Sequence, residues 1–585
     1  MKIAVGIPKL SLADVTANTE NIKKLIITAS EQKADILLVP ELSVTGATCG
    51  DLFFNDLLIS ASKEALEELK EFSKGISTTA VIGLPFIIKE KLYNCAAILQ
   101  NGEIIKIVSK TDIPSCERRY FNNCNDFDNK PFMINGTSVS VEVGNSILNP
   151  DFEPEKADMI LNLASINQIA GRTEKCKKAI KKITANLGCT YVLASSGLGE
   201  STMDTVYAGL SFVAQGGKII KESKPFCKES IIFADVDMKN NSKYEVVSDC
   251  TTKPEKIIER NPFLPTEVNV NEYLEEILNI QSYALARRLE HTRSKKAVIG
   301  ISGGLDSTLA LLVSARAMKI LNRPATDILS ITMPCFGTTS RTRSNSEILC
   351  SALGTEFKEI NIKKAVLQHF EDIGQSDKNF DVTYENSQAR ERTQVLMDIA
   401  NKENGMVIGT GDLSELALGW ATYNGDHMSM YGVNAGIPKT LIRHIVAYEA
   451  ENSDVTLKNV LLDILDTPVS PELLPADSKG EIAQKTEDLV GPYELHDFFI
   501  YHMVGLNESP KEIFESAIEV FPEYPHETVK KWLLIFTRRF FIQQFKRSCL
   551  PDGPCVFDIS FSPRGAFKMP TDASFNLWLS EIEEL

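Results

Sequence analysis

Short apolar runs alternate with longer helical patterns along residues 1–237. KIAVGI at the start is followed by the helical pattern NTENIKKLIITASEQ and then by the apolar run ADILLVPEL. LYNCAAILQNGEIIKIVSK predicts a hairpin turning on Asn101 and Gly102, because an Asn-Gly pair readily adopts the positive φ angles of a two-residue turn. The alternation of strands and helices predicts a layered α/β domain over these residues.

A second α/β domain is predicted over residues 272–585. The polar, proline-punctuated stretch 238–271 predicts a linker before it. The helical EYLEEILNIQSYALARRLEH is followed by the strand KAVIGI, the helical TLALLVSARAMKI and the strand DILSITMP. This order favours a doubly wound parallel sheet, which binds ligands beyond the carboxyl ends of its strands.

Composition narrows the class of protein. The chain of 585 residues has a formal charge of −16, which argues against a broad nucleic-acid surface. No apolar stretch approaches the ~20 residues of a membrane helix, and the start reads as a strand rather than a signal peptide. The 12 cysteines lack a C-x-x-C spacing, so reduced thiols and a cytoplasmic location are expected.

A glycine-rich turn, GISGGLDS at 300–307, lies between a predicted strand and a predicted helix. It lacks the lysine of a Walker loop. Two glycines allow close approach of an anion to the backbone and to the helix N-terminus, and Ser302 and Ser307 offer hydroxyls. Asp306 would repel a bare phosphate, which favours a bridging Mg²⁺. The alternative is a tight turn capped by an aspartate.

GTGDLSELALGW at 409–420 marks the end of another strand. Thr410 and Asp412 stand at the strand end and Glu415 in the first helical turn, so Glu415 is a candidate second magnesium ligand, while Asp412 reads equally as a helix cap. YENSQARERT carries a further polar set on or before a helix, with two arginines that cannot share a face: Glu385, Asn386, Arg390 and Arg392.

S-G-G-L-D-S resembles the pyrophosphate-binding signature of the ATP-pyrophosphatases. The strings ENSQARERTQVLM, GTGDLSELALGWATYNGDHMSMYGVNAGIPKTLI, TEDLVGPYELHDFF and FKRSCLPDGP resemble the glutamine-dependent NAD synthetases. The resemblance implies that deamido-NAD is adenylated by ATP and then amidated, with Asp306 and Glu415 as catalytic residues and Mg²⁺ ligands. It implies ATP binding by Gly300, Ile301, Ser302, Gly303, Gly304, Leu305, Asp306, Ser307 and Thr410. It implies deamido-NAD binding by Asn386, Glu415, Trp420, Ala421, Thr422, Tyr423 and Lys546. For Lys546 the alternative is a solvated surface cation.

The first domain resembles the carbon–nitrogen hydrolases, whose nitrilase-like fold is an α-β-β-α sandwich. LLVPELSVTGATCGDLFF and KIVSKTDIP match two signatures of that family. The resemblance implies that Glu41 stands in the place of the general base and Lys110 in the place of the cation that stabilises the tetrahedral intermediate.

The nucleophilic cysteine of that family is missing. Its strand should read like E-I-C-E-D-x-W, whereas this chain has VEVGNSI, with Gly144 in the nucleophile's place and Asn145 and Ser146 after it. Ile166 replaces a serine that contacts glutamine, and the loop KTDIPSCERRYF is shortened. Glycine offers no nucleophile, so we expect a vestigial glutaminase retained as a scaffold. A relocated thiol remains as the alternative, at Cys116, Cys124 or Cys176.

The sequence therefore predicts an NAD synthetase that takes free ammonia, with deamido-NAD and ATP as its other substrates. A homo-oligomer is expected, with no nucleic-acid or membrane partner. Three alternatives stay open: a synthetase of the GMP type, a tRNA-thiolating enzyme, and a non-catalytic nucleotide-binding scaffold. Intact Asp306 and Glu415 argue against the last of these, since a decayed synthetase would be expected to have lost them.

Overall fold

A computed structural model gives the fold and describes residues 1–123, 126–238, 258–336, 340–467, 491–565 and 567–585. The chain divides into two compact units. The first comprises Met1–Ser201 and Val206–Lys253, and the second Thr202–Thr205 and Pro254–Leu585. Residues 239–257 of the predicted linker lie outside the described residues.

Within its described residues, the first unit contains two six-stranded sheets and three long helices. One sheet has the order β12-β1-β2-β3-β4-β5 and the other β11-β10-β9-β8-β7-β6. The strands are β1 (Lys2–Ile7), β2 (Ile36–Leu38), β3 (Thr79–Ile88), β4 (Lys91–Gln100), β5 (Glu103–Ser109), β6 (Phe132–Ile134), β7 (Thr137–Val143), β8 (Met159–Ala164), β9 (Thr190–Ser195), β10 (Ser211–Gln215), β11 (Lys218–Glu222) and β12 (Ser230–Asp235). The helices are α1 (Val15–Glu31), α2 (Asp56–Phe72) and α3 (Arg172–Leu187).

Alternating apolar residues build two cores around the first sheet. On β1, Ile3 and Val5 pack with Val141 and Leu161 of the other sheet, which forms the core between the sheets. Ala4 points the opposite way and packs in a second core, with apolar residues of α1 and α2. Since α3 lies against β9, β10 and β11, the predicted α-β-β-α sandwich is confirmed. The predicted hairpin is also present, with φ of 50° at Asn101 and 84° at Gly102.

The second unit is built on a parallel five-stranded sheet of order β15-β14-β13-β16-β17. Its strands are β13 (Lys296–Gly300), β14 (Ile328–Thr332), β15 (Glu356–Glu359), β16 (Gly405–Gly409) and β17 (Tyr431–Gly432). Because β14 and β16 flank β13 on opposite sides, the strand order reverses at β13 and β16, and a ligand crevice is expected at their carboxyl ends. The predicted doubly wound sheet is confirmed.

Thirteen helices of the second unit have described bounds. They are α4 (Val270–Thr292), α5 (Leu305–Ile320), α6 (Ser340–Leu353), α7 (Lys363–Ile373), α8 (Val382–Lys402), α9 (Leu413–Leu418), α10 (Lys439–Glu451), α11 (Val455–Leu465), α12 (Tyr493–Ile500), α13 (Pro510–Val520), α14 (His526–Ile542), α15 (Gln544–Arg547) and α16 (Asn576–Glu583). Throughout the described chain, every helix is too short or too polar to span a bilayer.

Candidate active site

The glycine turn joins β13 to α5 at the point where the strand order reverses. Gly303 has a φ of +88°, which a residue with a Cβ rarely adopts. The Gly304 backbone N–H donates to Ser302 Oγ over 3.2 Å, and Ser302 Oγ lies 3.2 Å from Ser307 Oγ. The turn and the first residues of α5 line the cavity described below, and a helix N-terminus at a cavity is suited to an anion.

Three carboxylates converge beside the turn. Asp306 lies in the first turn of α5, Asp412 caps α9, and Glu415 lies in the first turn of α9. Each offers one oxygen, and these three oxygens lie within 4.8 Å of one another. Asp412 forms a capping box with Glu415, accepting the Glu415 backbone N–H over 2.8 Å, so the predicted helix cap is present as well.

Lys439, the first residue of α10, places its ammonium among these carboxylates. Its Nζ lies 2.8 Å from Asp306 Oδ2, 2.7 Å from Asp412 Oδ2 and 2.9 Å from Glu415 Oε1. Burial lowers the pKa of Lys439, but the three carboxylates outweigh burial and raise it. Burial also raises the pKa of Glu415 to about 7, and Lys439 opposes that rise.

The acidic cluster fits a magnesium ion. Carboxylate oxygens are the ligands that Mg²⁺ prefers. Fully ionised, three carboxylates and one ammonium leave two negative charges, which a divalent cation balances. Asp306 Oδ1 has no hydrogen-bond partner among the described residues, so one oxygen remains available for an ion.

A cavity of about 650 Å³ extends from the turn across the carboxyl ends of the strands. Almost every predicted ligand residue lines it: Gly300 to Ser307, Asn386, Thr410, Glu415, Trp420, Ala421, Thr422 and Lys546. Tyr423 is the exception, because its exposed ring lies outside the lining and contacts Phe545 and His427, with centroids 5.4 and 5.2 Å away. The structure thus gathers the residues from both predicted strand ends around one space.

Hydrogen bonds fix the far wall of this cavity. Thr422 Oγ1 donates to Asn386 Oδ1 over 2.7 Å. Lys546 Nζ donates to the carbonyls of Gly419 and Ala421 over 2.8 and 2.7 Å, so the alternative of a solvated surface cation is wrong. Burial lowers the pKa of Lys546.

Several residues of the cavity wall were given no ligand role in the sequence, among them Lys439, Arg392 and Glu385. Lys439 carries no local signal, because it stands 133 positions from Asp306 in a stretch quoted only as part of a longer match. Of the two arginines on α8, Arg390 binds the Tyr423 carbonyl and is exposed, whereas Arg392 lines the cavity. Glu385 also lines the cavity.

A second, smaller cluster lies in the first unit. Lys110 Nζ lies 2.8 Å from Glu41 Oε1 and 2.8 Å from Glu117 Oε2, and Asn94 Nδ2 donates to Glu41 Oε1 over 2.6 Å. Although burial lowers the pKa of Lys110, the charges of Glu41 and Glu117 raise it. Glu117 was missed in the sequence because it lies in the loop that reads as shortened.

Gly144 lies directly against this cluster. It has a φ of +112°, and a Cβ placed there would lie 2.6 Å from Lys110 Cε. Asn145, in the next position, exchanges hydrogen bonds with the Ser165 backbone through its side-chain amide. Ile166 is fully buried. The Lys110 side chain therefore occupies the space into which a side chain at position 144 would project.

Two of the three alternative nucleophiles lie within the described residues. Cys176 is completely buried on α3, and Cys116 is exposed on a loop. In the described part of the chain no hydrogen bond joins Cys116 to Glu41 or Lys110. Cys124 lies outside the described residues.

Comparison with known proteins accounts for both units. Residues 2–244 match the carbon-nitrogen hydrolase family, and residues 277–532 match the NAD synthase family. The glutamine-dependent NAD(+) synthetase of Mycobacterium leprae is 32% identical over 100% of this chain and 98% of its own length. The chain belongs to the glutamine-dependent NAD(+) synthetase family.

Other members of this family agree. The glutamine-dependent NAD(+) synthetase of Aquifex aeolicus is 26% identical over 97% of this chain and 98% of its own length. The crystal structure of a glutamine-dependent NAD(+) synthetase from Cytophaga hutchinsonii has a TM-score of 0.81 at 20% identity and covers 100% of both chains. At that identity the likeness concerns the fold alone. The resemblance to NAD synthetases predicted from the sequence is confirmed.

Proposed function

We propose that this NAD(+) synthetase amidates deamido-NAD with ATP and free ammonia, and that its first unit does not hydrolyse glutamine. One observation carries the proposal: position 144 is a glycine at positive φ, and the Lys110 side chain fills the space where a nucleophile would stand. A base and a cation without a nucleophile between them cannot form an acyl-enzyme.

The synthetase reaction has two steps, and the second unit supplies groups for each. In the first, a carboxylate oxygen of deamido-NAD attacks the α-phosphorus of ATP, and the bond to pyrophosphate breaks. In the second, the ammonia nitrogen attacks the acyl carbon, the bond to AMP breaks, and a proton leaves the new amide. A carboxylate is a poor acceptor for ammonia, so the adenylate is needed.

The glycine turn is assigned to the phosphates. Its backbone N–H groups, together with Ser302, Ser307 and Thr410, would hold the pyrophosphate portion of ATP at the N-terminus of α5. Asp306 and Glu415, with Asp412 beside them, would hold Mg²⁺, which neutralises charge gathering on the departing pyrophosphate. The Lys439 ammonium adds positive charge at the same place.

The opposite wall is assigned to deamido-NAD. Asn386, Trp420, Ala421, Thr422 and Lys546 line it, and Tyr423 stands at its exposed edge. The Lys546 ammonium donates two of its three protons to the carbonyls of Gly419 and Ala421. The third proton is available to an acceptor on the ligand.

The proposal is tested by measuring which nitrogen donor supports NAD formation. Purified protein is given ATP, deamido-NAD and either ammonium or glutamine, and both NAD formation and glutamate release are measured. We expect NAD with ammonium and no glutamate from glutamine. The Mycobacterium leprae synthetase, which is named as glutamine-dependent, serves as the positive control.

Two other outcomes would redirect the assignment. Glutamate release at the rate of NAD formation would contradict a silent first unit and return attention to Cys116, Cys124 or Cys176. No NAD with either donor would favour the nucleotide-binding scaffold.

A further inference from the structure

Cys549 lies beside His427 and Lys546 at the edge of the synthetase cavity, and the proposed reaction gives its thiol no role. Among the ten described cysteines only Cys116 and Cys549 are exposed. Cys549 Sγ lies 3.5 Å from His427 Nε2, and interaction with Cys549 raises the pKa of the exposed Tyr423 hydroxyl. We call Tyr423, His427 and Cys549 the rim cluster.

The imidazole of His427 is oriented as a hydrogen-bond donor toward the sulfur. Its Nδ1 accepts the Asn424 backbone N–H over 3.0 Å, so the proton of the neutral ring resides on Nε2. Burial lowers the pKa of His427, which keeps the ring neutral at physiological pH. The Nε2–H therefore faces Cys549 Sγ, 3.5 Å away.

The rim cluster is continuous with the cavity wall. His427 and Leu550 both line the cavity, and so does Lys546, whose backbone carbonyl lies 3.6 Å from Cys549 Sγ. Tyr423 packs against the His427 ring at a centroid distance of 5.2 Å. A group attached to the sulfur would lie against Tyr423 and Lys546, at the wall assigned to deamido-NAD.

We propose that Cys549 is a reversible modification site, where thiol exchange with a low-molecular-weight disulfide obstructs the dinucleotide end of the cavity. The Cys549 thiolate attacks one sulfur of the disulfide, a mixed disulfide forms, and the disulfide bond of the reagent breaks. The departing thiolate takes up the proton that Cys549 lost. Cys549 is oxidised and the departing sulfur is reduced, so no further oxidant is needed.

The loss of NAD formation on modification rests on the proposed function. The reactivity of the Cys549 thiol does not, because it is measured without turnover. The probe is 5,5′-dithiobis(2-nitrobenzoate), and labelled peptides are identified by mass spectrometry. Cys116 is exposed, and no hydrogen bond from a described residue reaches its sulfur, so Cys549 is expected to react faster by about two- to tenfold, the range that one hydrogen bond supports.

Two variants of His427 separate the donor from the packing. His427→Gln keeps an N–H near the position of Nε2, and His427→Ala removes it. Labelling of Cys549 should slow in His427→Ala and recover in His427→Gln, while labelling of Cys116 stays unchanged in both. Equal labelling rates for Cys549 in all three proteins would overturn the role of His427 and with it the proposal.

Two further measurements complete the test: protection of Cys549 by NAD bound in the cavity, and the NAD-forming activity of the labelled protein. NAD, the product of this family's reaction, should slow labelling of Cys549 and leave Cys116 unaffected. The labelled wild-type protein should lose most ammonia-dependent NAD formation and regain it with dithiothreitol, with Cys549→Ser resistant and Cys116→Ser sensitive.

Full activity of the labelled wild type, or equal inhibition of Cys549→Ser, would overturn the obstruction. Untreated protein that makes no NAD would count against the proposed function instead. Protection by NAD would then decide the placement of Cys549 at the cavity.

Discussion

Gly144 is constrained by two separate features of the first unit. Its φ of +112° strains any residue that has a Cβ, and the same Cβ would lie 2.6 Å from Lys110 Cε. Lys110 in turn is held between Glu41 and Glu117, so it cannot move away without breaking a buried ion pair with Glu41 and a partly buried one with Glu117. Breaking a buried pair costs about 3–5 kcal/mol when one partner is removed.

A comparison of two glycines measures that constraint. Gly136 also has a positive φ, +81°, but a Cβ there meets nothing within 4 Å. Gly136→Ala should lower the stability of β7 by about 1–2 kcal/mol through backbone strain alone, and Gly144→Ala by about 1–3 kcal/mol more through overpacking. Amide hydrogen exchange of β7 and β8 measures both.

Gly144→Cys should release no glutamate from glutamine, because the new thiol would displace the lysine that it needs as a partner. Equal losses of stability in the two alanine variants would show that the Lys110 side chain moves aside easily. The space at position 144 would then be open to a thiol.

Functional residues near strand ends could be predicted from the sequence, because each lies within a short motif of neighbouring residues. The glycine turn, Asp306, Thr410 and Glu415 were each named from their own neighbourhood and line one cavity. Lys439 could not be found this way, since its partners are distant in the chain and only the fold unites them. The same holds for the Lys110–Glu117 pair, which depends on the path of a loop.

Helix α8 shows what periodicity does and does not determine at the scale of elements. Two residues two positions apart on a helix point in different directions, so the sequence requires that Arg390 and Arg392 diverge without saying which faces the ligand. The structure turns Arg392 to the cavity. Two parts of the second unit were not predicted, because their sequences have no usable hydrophobic pattern. They are the two-residue strand β17 and the helices after α11.

Arg392 and Arg390 form a matched pair for testing the cavity. Arg392 Nη1 has no hydrogen-bond partner among the described residues, which leaves it available for an anionic ligand. Arg392→Ala should raise KM for deamido-NAD or ATP by about ten- to a hundredfold, the value of a charged hydrogen bond.

Arg390→Ala should change either KM by less than about threefold, because its contact with the Tyr423 carbonyl is exposed. Steady-state kinetics with each substrate varied in turn gives both numbers. Equal effects of the two substitutions would place the ligand away from α8.

At the scale of the whole molecule, the two units differ in what they have kept. The second unit retains three carboxylates, a lysine and a glycine turn around one cavity. In the first unit, Glu41 and Lys110, the residues predicted to stand in the places of the base and the cation, form an ion-paired cluster with Glu117. If the proposed function holds, the nitrogen donor reaches the acyl-adenylate from solution. Kinetics can then show whether the protein takes it up as ammonia or as the ammonium ion.

Only ammonia has the lone pair that attacks an acyl carbon, and the ammonium ion does not. Below the pKa of ammonium, each unit of pH raises the fraction present as ammonia about tenfold. The apparent KM for total ammonium should therefore fall about tenfold between pH 7 and pH 8, while the KM for deamido-NAD, measured as the control, changes far less. Initial rates of NAD formation at the two pH values test this. An ammonium KM that stays constant across this interval would mean that the cation itself is bound and deprotonated within the protein, and the search would then turn to a base beside the acyl carbon.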